Sequence, residues 1–282
     1  GFLGVDFFFV LSGFLITTLL LREAKTYGHF SMKNFYIRRA MRIIPVYYFV
    51  VTIICLYYII IQGRTEYLDI APYYYLFLSN FLIEDIPSLG ITWSLSVEEQ
   101  YYLLWPLLLL LLPTRALVPV SVLLIALNVV IALDLLGIDP ATTDVLVFKL
   151  PNATYAPIIM GSLAAVLLNR PRSFGWLYRL SHHRWFAPVG FVFLIIVFQF
   201  GPNSVIGIQN LIIHTAMTLI LIALVVSESN PLSPFLKNGI IRRVGAVSYG
   251  IYLYHLIALD ITNRGTGAIG VDNGWVIFVV YC

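Results

Sequence analysis

The side chains whose types and spacing could do chemistry lie in four stretches of this chain. In FYIRRAMRIIPVYY (35–48), Arg38, Arg39 and Arg42 fall within about a turn and a half of helix, directly before an apolar run. If residues 32–44 are helical, Arg38/Arg42 and Arg39/Arg42 sit on adjoining faces. Their guanidinium groups then form a cluster suited to bidentate binding of phosphate oxygens. The bland alternative is a positively charged anchor that only fixes membrane topology.

A second stretch, TWSLSVEEQYYLLWP (92–106), puts Ser94, Glu98, Tyr101 and Trp105 on one helical stripe, with Glu99 a quarter-turn away near Tyr102. Two adjacent carboxylates in such apolar surroundings suit general acid or base work, or else they pair with arginines of another helix. In VGAVSYGIYLYH (244–255), Ser248, Tyr252 and His255 share a face, and the histidine lies in the body of an apolar run. It reads equally as a packed, hydrogen-bonded histidine or as a working one. Near the start, Asp6 stands close to the outer end of an apolar run and shares a face with Gly13. The Ser12-Gly13 pair there would let another helix or a ligand come close. His182-His183 fall in a basic loop, and His214 stands isolated.

The elements that must position these groups are membrane spans. With 60% hydrophobic and 11% charged residues and a mean hydropathy of +0.90, the composition excludes an ordinary soluble domain. A net charge of +3 gives no case for nucleic acid as a partner. The two cysteines, Cys55 and Cys282, have the spacing of neither a metal site nor a disulfide framework. Apolar runs at 2–21, 43–61, 93–112, 116–136, 154–169, 185–200, 205–227 and 244–262 read as eight spans, with 275–282 as a partial ninth. The stretch 62–92 is polar and aromatic, and its YYYLFLSNFL is too short to count as a span.

Charge then orients the chain. Of 17 Lys and Arg, 14 lie in the alternate connections 22–42, 113–115, 170–184 and 228–243, leaving Arg64, Lys149 and Arg264 for the other side. This bias puts the arginine cluster in the cytoplasm and residue 1 outside. The chain opens inside an apolar segment without an initiator Met, and is read as a fragment that lacks a first span.

VDFFFVLSGFLI (5–16), FYIRRAMRIIPVYY, TWSLSVEEQYYLLWP and VGAVSYGIYLYH together resemble the acyltransferase 3 family of membrane-bound acyltransferases, in order and approximate spacing, over essentially the whole chain. That family includes bacterial O-acetyltransferases of surface saccharides. The resemblance implies an all-α, polytopic transmembrane helical bundle of about ten spans when intact, forming a single domain over 1–282, in a bacterial inner membrane. It implies acyl-CoA, acetyl-CoA above all, as co-substrate, no permanently bound cofactor or metal, and a saccharide or lipid-linked saccharide acceptor. Arg39 and Arg42 match the family's Arg-x-x-Arg, with Arg38 beside them, and would bind phosphates of CoA; Ser12 and Gly13 match its Phe-Phe-x-x-Ser-Gly. Glu98, Glu99, Ser248 and His255 match further characteristic positions, so Glu98, Glu99 and His255 are the catalytic candidates. Asp6, Ser94, Ser248 and Tyr252 are expected on the substrate side.

Two departures stand out. The family's favoured general base is a histidine of a first span that would precede Gly1, so this fragment is expected to be inactive. Before Gly161, where relatives often carry a charged pair, this chain has Asn152, Thr154 and Tyr155. Two other classes compete: a flippase or transporter of a lipid-linked saccharide, which would share the intramembrane charges, and a catalytically silent membrane scaffold.

Overall fold

The computed structural model describes residues 2–133, 135–137, 141–148, 155–200, 208–227 and 230–268. These form eleven α-helices and one two-residue β-hairpin: α1 (Phe2–Tyr27), α2 (Met32–Leu56), α3 (Ala71–Tyr75), α4 (Thr92–Leu111), α5 (Thr114–Ala132), β1 (Ala141–Thr142), β2 (Val147–Phe148), α6 (Ala156–Leu168), α7 (Pro171–Ser181), α8 (Phe186–Phe200), α9 (Ile208–Val226), α10 (Ser233–Leu236) and α11 (Gly239–Ala268). The protein is all-α and an integral membrane protein. Five helical stretches are long and apolar enough to cross a bilayer: Gly4–Tyr27, Met32–Ile61, Thr114–Ala132, Gln209–Val226 and Gly239–Asn263. A sixth is possible if the pair Pro171–Ser181 and Phe186–Val197, bent by 70°, counts as one.

The remaining apolar runs are also helical, with reasons for falling short. Helix α6 has only 13 residues, and α4 carries Glu98, Glu99 and Gln100 in the middle of its 20. The run 275–282 lies outside the described residues, as do Asn152, Thr154 and Lys149. The stretch 62–92 forms 3₁₀ turns at Thr65–Leu68 and Ser79–Phe81 around the short α3, and no span. The polar connection 22–42 is mostly helix: α1 runs on to Tyr27, Gly28 turns the chain at φ +76°, and α2 starts at Met32.

Contacts divide the chain into two compact units: Gly1–Met32, Val97–Ala141 and Phe148–Asn238 make the first, and Lys33–Ser96, Thr142–Val147 and Gly239–Cys282 the second. In the first unit, α1 and α6 cross with glycine opposite backbone. A Cβ on Gly13 would collide with the carbonyl of Ile158, and one on Gly161 with the carbonyl of Val10. In a membrane, where apolar burial gains little between helices, such close approach is what lets van der Waals packing hold them. Polar contacts reinforce the crossing. Ser162 Oγ donates to the Gly13 carbonyl at 2.9 Å and accepts from Tyr101 Oη at 2.6 Å. Trp105 stacks on Tyr101 and donates its indole N–H to Thr17 Oγ1 at 2.8 Å. An apolar cluster that includes Val10, Phe14, Ala164, Leu194, Met217 and Ile220 completes this core.

The second unit packs α2 against the 70–95 segment and α11. Tyr47, Val50, Val51, Tyr74, Leu95 and Leu253 lie in its core. Tyr47 Oη donates to the Tyr74 carbonyl at 2.9 Å. Tyr74 Oη in turn donates to Asp85 Oδ1 at 3.1 Å and accepts from the Ile86 N–H at 2.9 Å. Phe77 adopts a left-handed φ of +53°, a strained conformation for a bulky residue, and stacks on Tyr47 with ring centroids 4.4 Å apart.

Candidate active site

The arginines sit where their spacing puts them, on the first turns of α2, which stays helical past Pro45. Proline lacks the N–H that would bond the carbonyl of Met41, so the helix gives up one backbone bond beside Arg42. Arg38 and Arg42 are exposed and Arg39 is half-buried. Helix α11 packs against the same part of α2, with Tyr249 Oη donating to the carbonyl of Ile43, the residue after Arg42, at 3.3 Å.

The stripe proposed for α11 is split by its contacts. Tyr252 turns inward, with its hydroxyl 2.6 Å from Ser94 Oγ and 3.2 Å from the Ile91 carbonyl, to which it donates. Two residues singled out from separate motifs, 158 positions apart, therefore meet. Ser248 is exposed and donates to the Gly245 carbonyl at 2.8 Å. His255 is half-buried, its Nδ1 2.5 Å from the Tyr252 carbonyl. A carbonyl can only accept, so Nδ1 carries a proton, and a neutral ring bonded this way would present its lone pair at Nε2. That tautomer can take a proton from a hydroxyl. Ser94 belongs to a buried hydroxyl-rich first turn of α4, where Thr92 Oγ1 donates to the Leu89 carbonyl at 2.7 Å and Ser79 Oγ lies 2.8 Å from Ser96 Oγ.

In the first unit, Glu98 is buried and accepts a hydrogen bond from Tyr102 Oη, one turn further along α4. Its carboxylate is thereby fixed in orientation. Glu99 is half-buried on the adjoining face, and Gln100 accepts from Tyr155 Oη. Ser12 is buried in α1, and Gly13 beside it faces α6 rather than open space.

Sequence reasoning gave no role to His214. The structure brings it to Asp6: His214 Nε2 lies 3.2 Å from Asp6 Oδ2, with 4% and 24% of the two side chains exposed. The other ring nitrogen, Nδ1, is buried and has no hydrogen-bond partner among the described residues. A usable signal existed. An ionisable side chain inside an apolar run is costly enough to need a partner, and the expected orientation would put Asp6 near the outer end of its run and His214 in the outer half of its own.

The acyltransferase resemblance carried by these motifs can now be compared with known proteins. The Acyltransferase domain family matches residues 1–282. The chain belongs to this family. Among its relatives are the peptidoglycan O-acetyltransferase OatA of Listeria monocytogenes serovar 1/2a, 28% identical over 93% of this chain and 46% of that protein, and YrhL of Bacillus subtilis strain 168, provisionally named for the same reaction, 30% identical over 90% of this chain and 44% of that protein. SACOL0978 of Staphylococcus aureus strain COL is 25% identical over 93% and 47%, respectively. The chain thus spans about half the length of the curated relatives it matches. No solved structure matches it significantly.

Proposed function

We propose that the protein is a membrane-bound O-acyltransferase that moves an acyl group, acetyl in the first instance, from acyl-CoA to a hydroxyl of a cell-surface saccharide. The observation that carries the acyl-transfer reading is the family match along all of 1–282. OatA's name adds peptidoglycan as the first acceptor to test. The setting would be a bacterial cytoplasmic membrane, with the arginines of α2 on its inner side.

The geometry of the second unit supports a donor site there. Arg38, Arg39 and Arg42 would hold CoA phosphates through charge-assisted hydrogen bonds, which fixes where the thioester lies. Tyr249 ties α11 to α2 beside Arg42. His255 follows six residues later, about 9 Å of helix rise, in the apolar part of α11. Its Nε2 lone pair would accept the proton of the attacking hydroxyl. The oxygen–acyl bond forms as the thioester bond breaks and the CoA thiolate leaves. Within the first unit, Tyr102 orients Glu98, a further catalytic candidate of this reading.

The test is kinetic. In the full-length protein, Arg42→Ala should raise the KM for acyl-CoA more than that for the saccharide; equal effects on both would assign Arg42 to the fold. Stabilisation of the purified protein against heat by CoA would distinguish this enzyme from a saccharide transporter.

A further inference from the structure

Residues 170–185 contain four arginines and two histidines and no acidic residue. Most of this segment is α7, whose Leu177 and Ser181 are buried against the first unit. By helical spacing, Arg172, Trp176 and Arg179 share the face turned away from that buried pair. Phe174, Trp176, Tyr178 and Leu180 are all exposed, Trp176 at 64%. At the end of α7 the chain turns by 70° into the apolar α8. A short, arginine-rich helix with exposed aromatic residues, set at a steep angle to an apolar helix, has the form of a helix lying in the headgroup layer.

Cavities flank it at both ends. One of about 530 Å³ opens at the start of α7, between Arg170, Arg172 and Ser173 on one side and the apolar Val118 and Leu167 on the other. Arg170 is held there by donating to the Thr114 carbonyl. The other, about 600 Å³, follows the end of α7 along α8 and α9, with His183 and Trp185 at one end and Val189, Phe193, Ala216 and Ile220 among its apolar walls. The Arg184 guanidinium lies 5.6 Å from the centroid of the Trp185 ring, at the mouth of this groove. Cation above and hydrocarbon below is the chemistry of a single amphiphile with an anionic head.

We propose that α7 and the α8/α9 groove form a binding site for an anionic phospholipid. The arginines of α7 and Arg184 bind the phosphate-bearing headgroup, and an acyl chain lies along Val189, Phe193 and Ala216. This site is independent of the acyl-transfer reading and stands or falls without it.

The experiment is native mass spectrometry of the purified full-length protein after equilibration with equal amounts of phosphatidylglycerol and phosphatidylcholine of identical chains. The wild type should retain phosphatidylglycerol preferentially. The R172Q/R179Q/R184Q variant should lose that preference, by about fivefold per arginine and on the order of a hundredfold for all three. Ala216→Phe, which narrows the groove, should lower retention of both lipids while leaving binding of chain-free glycerol phosphate unchanged. Thermal unfolding in zwitterionic detergent controls for folding, and single-arginine variants replace the triple one if it does not fold. Equal retention of the two lipids by the wild type, an undiminished preference in the arginine variants, or displacement of the lipid by an equal concentration of glycerol phosphate would overturn the proposal; the last would mark a soluble phosphate site.

Discussion

Asp6 and His214, 208 positions apart in the sequence, show what single residues can and cannot disclose. Each was conspicuous as a polar group in an apolar run, yet nothing in the local pattern of 205–227 points to residue 6, because helical periodicity encodes a face and not a partner. The pair is expected to be worth more than its parts. A double-mutant cycle with Asp6→Ala and His214→Ala, read by thermal unfolding of the purified protein, should give a coupling of about 0.5–3 kcal/mol. Additive effects would mean that the two side chains do not interact. The Ser94–Tyr252 contact was more accessible to sequence reasoning, since both residues stood out within their own motifs, although their 2.6 Å meeting was not foreseen. For His255, the bonded Nδ1 makes a definite forecast. His255→Gln in the full-length protein should lower kcat for acyl transfer by about 10²–10⁴-fold while leaving the KM for acyl-CoA close to that of wild type. A change confined to KM would make it a binding or packing residue.

Among the elements, α1, α2, α5, α9 and α11 were legible as apolar runs, and the short turn between α4 and α5, expected at 113–115, falls at residues 112–113. Helix ends were not. Hydropathy marks where a chain leaves the lipid, whereas a helix ends where its backbone bonds are capped, so α1 and α2 reach well into the basic connection between them. The bend between α7 and α8 was hidden for the same reason: the basic segment before 185 read as a loop although its spacing is amphipathic. The crossing of α1 and α6 was half visible. Ser12-Gly13 suggested close approach, and the occupant of the space proved to be the backbone of α6. Gly161→Leu should therefore push the helices apart and destabilise the protein by about 1–3 kcal/mol or more, seen as a lowered Tm. A leucine accepted without loss would remove the crossing from the list of what holds the first unit together.

For the molecule as a whole, the inferred orientation is open to direct measurement. With Cys55 and Cys282 replaced by serine, single cysteines at Lys25, Arg172 and Lys237 should react with a membrane-impermeant thiol reagent only after cells are opened, and one at Glu66 should react in intact cells. The reverse pattern would put the arginines of α2 on the outer face and end the case for a CoA site there. The α1/α6 crossing also bears on how this protein could be recombined with its relatives. Each helix presents a glycine to the other's carbonyl, so their surfaces fit as a matched set despite the long stretch of chain between them. Chimaeras assembled with breakpoints between residues 28 and 156 would unite halves of different parentage at this seam, and parents differing in either small residue should yield few folded offspring. Exchanges that carry both helices over together should survive far more often.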